Sequence, residues 1–468
     1  MGRPAPSRSR SQPLRTLVER LEQQLGDEVT GLEDALHAEP PVTVRINPAK
    51  WKGPDRPVVP WCASGRYLAD RPSFTFDPLF HAGAYYVQEA SSMLLEQAVK
   101  ATGLQDAPIV ALDLCAAPGG KTTHLRSLLH PEALVVANEI DRKRQPTLME
   151  NCWKWGAPNT VISGSAPVAL RNTPECFDLI LVDAPCSGEG MFRKDAYARE
   201  QWSPELVDAC ARTQSSILDH AWSALRPGGW LIYSTCTWEL QENEQQLDRL
   251  TKQGAQAYPL QLDPAWGIVQ GEHLGILGAR CYPHRLRGEG LFCAVLRKPG
   301  AYVEPSELRI AEPQQDLADE QRYLLTPETW HTLERGEIRY AIRPGHARTI
   351  DTLERALQVF APGIPLVERK AGRWRPHPAL ALSTALDKDR CTTMPLDREQ
   401  AIAYLKGATL PAQNASGTAL ATYADMGLGW LHGAGNRWNN RWPTPWRIRA
   451  HKPMAPPVSW ADAGSDPA

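Results

Sequence analysis

The chain has 468 residues, with 51 Lys and Arg against 53 Asp and Glu, a formal net charge of −2. That length exceeds one ordinary core, so two or three domains are expected, and near-neutrality argues against indiscriminate polyanion binding while leaving room for a local basic face. No stretch approaches the apolar length of a membrane span.

Met1–Arg15, rich in Arg, Ser and Pro, lacks the apolar core of a secretory signal and reads as a disordered tail. Ten cysteines are scattered along the chain without a Cys-x-x-Cys or a paired Cys/His spacing, which argues against a zinc site; no bound metal is expected. A disulfide framework does not suit so long a chain without an export signal, so the thiols are expected to be reduced, in a cytosol.

Between Leu14 and Leu36 apolar residues recur at helical spacing, predicting one or two amphipathic helices. Thr43–Asn47 alternates like a strand, loops rich in Pro and Asp follow, and a helix is expected from Gln88 to Ala101. From Pro108 to Lys298 strands and helices alternate. The expected strands are Ile109–Leu114, Leu134–Asn138, Thr160–Ile162, Leu179–Val182, Leu231–Ser234 and Leu291–Leu296. The helices between them are Lys121–Leu129, Arg142–Trp155, Pro204–Leu225 and Glu239–Leu250, with a helix stop and turn at Arg226–Gly229. Such alternation implies an α/β fold with a mostly parallel sheet covered on both faces. Pro299–Gln321 has the composition of a linker. Weaker strand and helix signals run to Pro395, and a module dense in Gly, Trp and Arg spans Asp397–Pro453.

The first chemical motif is Leu112-Asp113-Leu114-Cys115-Ala116-Ala117-Pro118-Gly119-Gly120-Lys121-Thr122. A buried strand runs into a turn of small residues and then a helix, so the backbone can approach a ligand and the helix N-terminus offers free N–H groups. Gly120-Lys121-Thr122 matches the end of a Walker A loop, but that loop needs Gly where Cys115 stands, and the triphosphate reading fails. A nucleoside ligand remains. Glu139, about 20 positions past the glycine turn, stands where ribose hydroxyls are usually bound. A solvated carboxylate at a helix start is its bland alternative, and Asp141 is the expected N-cap.

Two further motifs, Asp183-Ala184-Pro185-Cys186-Ser187-Gly188 and Tyr233-Ser234-Thr235-Cys236-Thr237, each follow a short apolar run. Groups at the carboxyl ends of parallel strands line the ligand crevice, so neighbouring strands would aim two soft nucleophiles at one pocket. A lone cysteine is usually just buried; two at the strand ends of one sheet are harder to dismiss.

These motifs, with Tyr86–Met93 upstream and Pro283–Gly290 downstream, resemble in order and spacing those of the Nop/Nol/Sun (Fmu-type) RNA cytosine-5 methyltransferases. Met191–Asp195 and the C-terminal extension are most similar to the bacterial branch acting on small-subunit ribosomal RNA. The resemblance implies a Rossmann-like methyltransferase core with S-adenosylmethionine as methyl donor. It further implies that Cys115, Ala116, Ala117, Pro118, Gly119, Gly120 and Lys121 wrap the cofactor, that Glu139 holds its ribose, and that Asp183 lies beside the donor and the target base. It makes Cys236 the nucleophile at cytosine carbon 6 and Cys186 the aid to product release. A rival assignment swaps the thiols, because DNA cytosine-5 methyltransferases attack with the cysteine of a Pro-Cys pair. Where many relatives hold the adenine with an acid, this chain reads Ser163-Gly164-Ser165.

The last module reads Asn436-Arg437-Trp438-Asn439-Asn440-Arg441-Trp442, then Trp446-Arg447-Ile448-Arg449, with no Asp or Glu between Met426 and Ala461. Its tryptophans suit a barrel core, whereas arginines in an acid-free stretch suit RNA phosphates. The pattern resembles the PUA-like domain of the bacterial branch. The expected division is an N-terminal α+β RNA-binding module over 1–95, the catalytic domain over 96–300, a linker and intermediate module over 301–395, the PUA-like module over 396–455, and a tail over 456–468. Expected partners are RNA, ribosomal or transfer, and no membrane; the chain is expected to be a cytoplasmic monomer. A non-catalytic RNA-binding assembly factor is the reading from another class, and the two strand-end thiols argue against it.

Overall fold

The computed structural model describes residues 12–301 and 319–460. Most of the expected N-terminal tail, most of the linker Pro299–Gln321 and the end of the 456–468 tail lie outside the described residues. Helices Gln12–Leu25 and Val29–His37 come first, and their apolar faces, including Leu17, Leu21 and Leu32, pack with Phe192, Trp202 and Trp238 of the central domain. An antiparallel sheet follows in the order β2-β3-β1-β4, from β1 (Val42–Ile46), β2 (Val58–Val59), β3 (Cys62–Leu68) and β4 (Tyr85–Val87).

The central sheet contains β5 (Val110–Asp113), β6 (Leu134–Asn138), β7 (Thr160–Ser163), β8 (Phe177–Asp183) and β9 (Leu225–Thr235). To these it adds β10 (Gln256–Tyr258), β11 (Val269–His273), β12 (Ile276–Cys281) and β13 (Leu291–Arg297). Strands β9-β8-β5-β6-β7 are parallel neighbours in that order, and β13 joins β9 antiparallel. Alternate residues serve opposite layers. Ile180 and Val182 of β8 enter one apolar core, while Leu179 and Leu181 enter the other. Burial on both faces is why these strands read as continuous apolar runs.

Several boundaries differ from expectation for local reasons. The helix expected from Gln88 begins as a 3-10 turn at Ser91, with the α-helix at Leu95–Thr102, because the Glu89 carboxylate accepts the N–H groups of Ser91 and Ser92. The helix expected from Glu239 begins at Glu244, since Asn243 ties Thr235 to Thr237 and holds the preceding residues as a loop. Asp141 caps a turn through the N–H of Lys143, and its helix starts at Gln145. The Arg226–Gly229 turn lies within β9, where Gly228 has φ +73° and the register against β8 shifts. The β11–β12 hairpin has no counterpart among the expected strands; β11 is exposed from Gln270 to His273 and lacks an apolar alternation.

Beyond the linker, β14 (His331–Arg335), β15 (Ile338–Ile342), β17 (Ile364–Lys370) and β18 (Arg373–Pro376) make an antiparallel sheet, and β16 (Val359–Ala361) pairs with β7 at the edge of the central sheet. The last sheet orders Thr393–Pro395, Thr418–Tyr423, Met426–Gly433, Gly435–Asn440 and Leu410–Ala415. Its tryptophans are core residues: Trp442 is 2 % exposed and Trp430 4 %. Trp438 and Trp446 pack partly buried against the same interior.

Candidate active site

β8 and β9 run parallel with Asp183 opposite Ser234, so the two thiol-bearing loops leave the sheet side by side. The Sγ atoms of Cys186 and Cys236 lie 3.0 Å apart, both cysteines are free, and the Cys236 N–H donates to Cys186 Sγ at 3.3 Å. Three devices hold the loops. Glu189 accepts from the Thr237 hydroxyl at 2.8 Å and the Trp238 N–H at 3.1 Å, and pairs with Arg20 of the first helix. The Glu242 carboxylate accepts from the Ser187 N–H at 3.0 Å and from Gln214 at 2.9 Å, while Gln214 also donates to the Pro185 carbonyl. Gly190 and Gly290 approach so closely that a Cβ at Gly190 would meet the Gly290 carbonyl oxygen at 2.5 Å, which requires glycine at both places. Gly290 belongs to the downstream motif, whose Glu289 is clasped by Arg193 at 3.1 Å with both side chains buried.

The surroundings of the two sulfurs are unequal. Hydrogen bonding to Cys236 and burial, with further opposition from Glu242, push the Cys186 thiol well above its ordinary pKa. On the other side, Lys121 forms a 2.8 Å ion pair with Asp183. Burial works against the Lys121 charge, but Asp183, Cys236 and Asp113 outweigh it and raise its pKa, which places the ammonium within electrostatic reach of Cys236. Asp183 also accepts from the Ser234 hydroxyl at 2.8 Å.

The Cys115–Lys121 turn sits at the end of β5 beside the end of β6. Glu139, buried, accepts from the Ala117 N–H at 3.3 Å and the Asp141 N–H at 2.8 Å, with Arg144 at 3.4 Å. Gly119 has φ +107°, a conformation that favours glycine, and opens the helix Gly120–Leu128. Cys115 is pushed far up by burial and by neighbouring carboxylates, so it is a neutral thiol of the turn. Burial, with Asp183 and Glu139 contributing, raises Asp113 to about 7. This donor set fits S-adenosylmethionine: a buried carboxylate for a ribose diol, first-turn N–H groups for a carboxylate end, and a surplus of acidic groups around one lysine for a cationic ligand. Ser165, left open as an adenine contact, has its hydroxyl oxygen engaged by the Gln358 N–H at 2.7 Å and its backbone by Asn138.

The candidate catalytic and cofactor residues Cys115–Lys121, Glu139, Asp183, Cys186 and Cys236 lie in this one region, together with supporting groups that no motif marks. The sequence places Lys121 in the cofactor turn, and its ion pair with Asp183 is a tertiary contact. Glu242, Glu189, Ser234, Arg193 and Glu289 carried no recognisable motif roles; the polar run Gln241–Glu244 just after Cys236 was the available signal. Elsewhere, residues with no motif spacing converge: Cys62, Glu96 and His124 lie within 4.8 Å of one another, though Glu96 is already engaged by the Ala63 N–H and Lys100.

Comparison with known proteins gives three matched family models. Residues 104–297 match the 16S rRNA methyltransferase RsmB/F, residues 15–90 the N-terminal domain of 16S rRNA methyltransferase RsmF, and residues 391–448 the methyltransferase RsmF PUA domain. The chain is 32 % identical over 413 residues to ribosomal RNA small subunit methyltransferase F of Serratia proteamaculans (82 % of this chain, 83 % of that one). It is 43 % identical over 192 residues to the Escherichia coli protein of the same name, covering 40 % of each. Among solved structures, a methyltransferase homolog from Pyrococcus horikoshii superposes with TM-score 0.51 at 28 % identity, covering 61 % of this chain and 95 % of that one. NSun6 from the same organism superposes with TM-score 0.52 at 21 % identity, covering 62 % and 99 %, a likeness of fold.

Proposed function

The chain belongs to the RsmB/F family of RNA cytosine-5 methyltransferases, and from that membership we propose that Cys236 is its attacking thiol and Cys186 its releasing one. The protein is an S-adenosylmethionine-dependent enzyme that methylates carbon 5 of cytosine in RNA, and its matched models and relatives bear the name of small-subunit ribosomal RNA methyltransferases. In this reading it acts in the bacterial cytoplasm. No helix among the described residues is long and apolar enough to cross a membrane.

The observation that carries the assignment of roles is the electrostatic asymmetry of the two sulfurs. Cys236 lies in the field of the Lys121 ammonium, which is itself paired with Asp183. Hydrogen bonding to Cys236 and burial hold Cys186 as a thiol 3.0 Å away, which makes it the hydrogen-bond donor of the pair. The Cys236 sulfur adds to cytosine carbon 6, and carbon 5 becomes enamine-like and nucleophilic. When bound, S-adenosylmethionine supplies an electrophilic methyl group to that carbon. Asp183, oriented by Lys121 and Ser234, accepts a hydrogen bond from the cytosine amino group, which favours uptake of a solvent proton at the ring nitrogen as sulfur attacks. A base then removes the carbon 5 proton and the sulfur–carbon 6 bond breaks. The departing Cys236 sulfur is received by the Cys186 S–H, so charge does not return to an unsolvated atom. Glu139 holds the ribose hydroxyls, and the turn Cys115–Lys121 wraps the rest of the cofactor.

RNA carrying 5-azacytosine, which blocks the final elimination, tests these roles. Wild type is expected to form a covalent RNA adduct, Cys236→Ala none, and Cys186→Ala an adduct that persists even on ordinary cytosine. An adduct that survives Cys236→Ala and vanishes with Cys186→Ala reverses the assignment. Bisulfite sequencing of ribosomal and transfer RNA from a deletion strain identifies the substrate, with loss of one 5-methylcytosine expected in 16S rRNA.

A further inference from the structure

A second concave site, which shares no lining residue with the thiol loops, lies between the β14–β18 sheet and the last sheet. One wall is the β17–β18 hairpin. Its antiparallel register sets Glu368 opposite Arg375 and Lys370 opposite Arg373, so all four side chains project from one face. The facing wall carries Thr418 and His432, themselves a cross-strand pair, and Arg441. Between them is a cleft of about 250 Å³. Both walls share one apolar core that includes Leu366, Leu380, Leu420 and Trp430. Trp430 donates its indole N–H to the His377 carbonyl at 2.9 Å and accepts the Arg441 N–H at 3.1 Å, so the cleft is preformed.

Its charges are unbalanced. Glu368, the lining carboxylate, pairs with Lys370 at 2.6 Å. Among the described residues, no carboxylate forms an ion pair with Arg373, Arg375 or Arg441. Partial burial and the neighbouring Arg375 charge lower the Arg441 pKa, with Glu368 only partly opposing them. Three guanidinium groups converging from two modules on one concavity match the geometry of polyanion recognition, in which each fork takes phosphate oxygens. Scattered surface arginines would neither converge nor repel.

We propose that this cleft grips the sugar–phosphate backbone of the RNA substrate at a segment remote from the target cytosine. The proposal rests on the reading of the protein as an RNA methyltransferase. The β16 strand of the β14–β18 module joins the central sheet beyond β7, four strand spacings or about 19 Å from β8. RNA held in the cleft is therefore not the nucleotide over the thiols but a flanking or folded-back segment. The module between catalytic domain and last sheet thereby supplies half of the anchor.

The test uses the full chain as wild type, as the double variant Arg375→Ala/Arg441→Ala, as the double Lys variant at the same positions, and as Arg355→Ala, an exposed arginine elsewhere. Thermal melts first check that all fold alike. Binding to a full-length, protein-free 16S rRNA transcript is measured over a salt series, and methylation is measured on that transcript and on a short fragment bearing the methylated cytosine. The double Ala variant should raise Kd and KM on the transcript by about tenfold and flatten the log K against log salt slope by about 1 to 2, as expected for two lost phosphate contacts. Lys should restore most of the binding, Arg355→Ala should leave Kd unchanged, and the loss should shrink on the short fragment. Unchanged Kd and slope in the double Ala variant overturn the proposal. So does a defect confined to assembled subunits, which would make the ligand an acidic protein segment. Because binding and methylation are read separately, a wild type that binds through the cleft but methylates no cytosine overturns the catalytic reading alone.

Discussion

Glu242→Gln isolates the group that holds the Cys186 loop. Glu242 is fully buried; one carboxylate oxygen accepts from Ser187 and Gln214, while the other has no hydrogen-bond partner among the described residues. Burial raises its pKa from 4.5 to about 7, against the lowering effect of the Ser187 and Gln214 hydrogen bonds. A carboxyl whose folded pKa lies above its unfolded value binds more protons when folded. Its stabilising contribution is therefore complete below pH 4.5 and is lost as pH rises through 7. The span corresponds to about 3 kcal/mol. Gln keeps an acceptor for Ser187 and Gln214 and does not titrate. Urea unfolding of both proteins between about pH 4.5 and 8.5 reads the difference. The variant should gain on wild type by about 3 kcal/mol across that window, the other titrating groups cancelling in the comparison. Parallel stability curves for the two proteins would refute the picture of Glu242 as a buried, proton-bearing strut.

Glu139→Gln should weaken S-adenosylmethionine binding by about 1.5 to 3 kcal/mol, roughly 10- to 150-fold in Kd by calorimetry, as expected for a lost charge-assisted hydrogen bond; a change within twofold would remove Glu139 from the cofactor site. Trp442→Ala should destabilise the last module by about 3–5 kcal/mol, whereas Trp442→Phe should leave RNA affinity unchanged. Weaker RNA binding by the Phe variant at unaltered stability would mean that Trp442 stacks on bases instead of filling a core.

Local pattern alone determined much of this protein. The apolar runs ending at Asp113, Asn138 and Asp183 identify buried parallel strands, because only a sheet covered on both faces leaves no polar alternation. The small-residue turn after Cys115 and the acid at Glu139 mark a nucleoside site, since backbone must approach the ligand there. The two thiols fall at strand ends for the same periodic reason. Elements governed by side chains reaching back to the backbone were harder to see. Glu89 delays one helix and Asn243 another, and the exposed β11 has no apolar stripe to betray it. What only the tertiary structure decided is which groups meet. The adjacency of β8 and β9 brings Cys186 to Cys236, Lys121 crosses to Asp183, and Glu242 returns to the Cys186 loop. Arg375 and Arg441, from different sheets, come to share one cleft. Periodicity records which face of an element is buried, not what lies against it. The unequal charges around two chemically identical thiols therefore arise from contacts between distant parts of the chain.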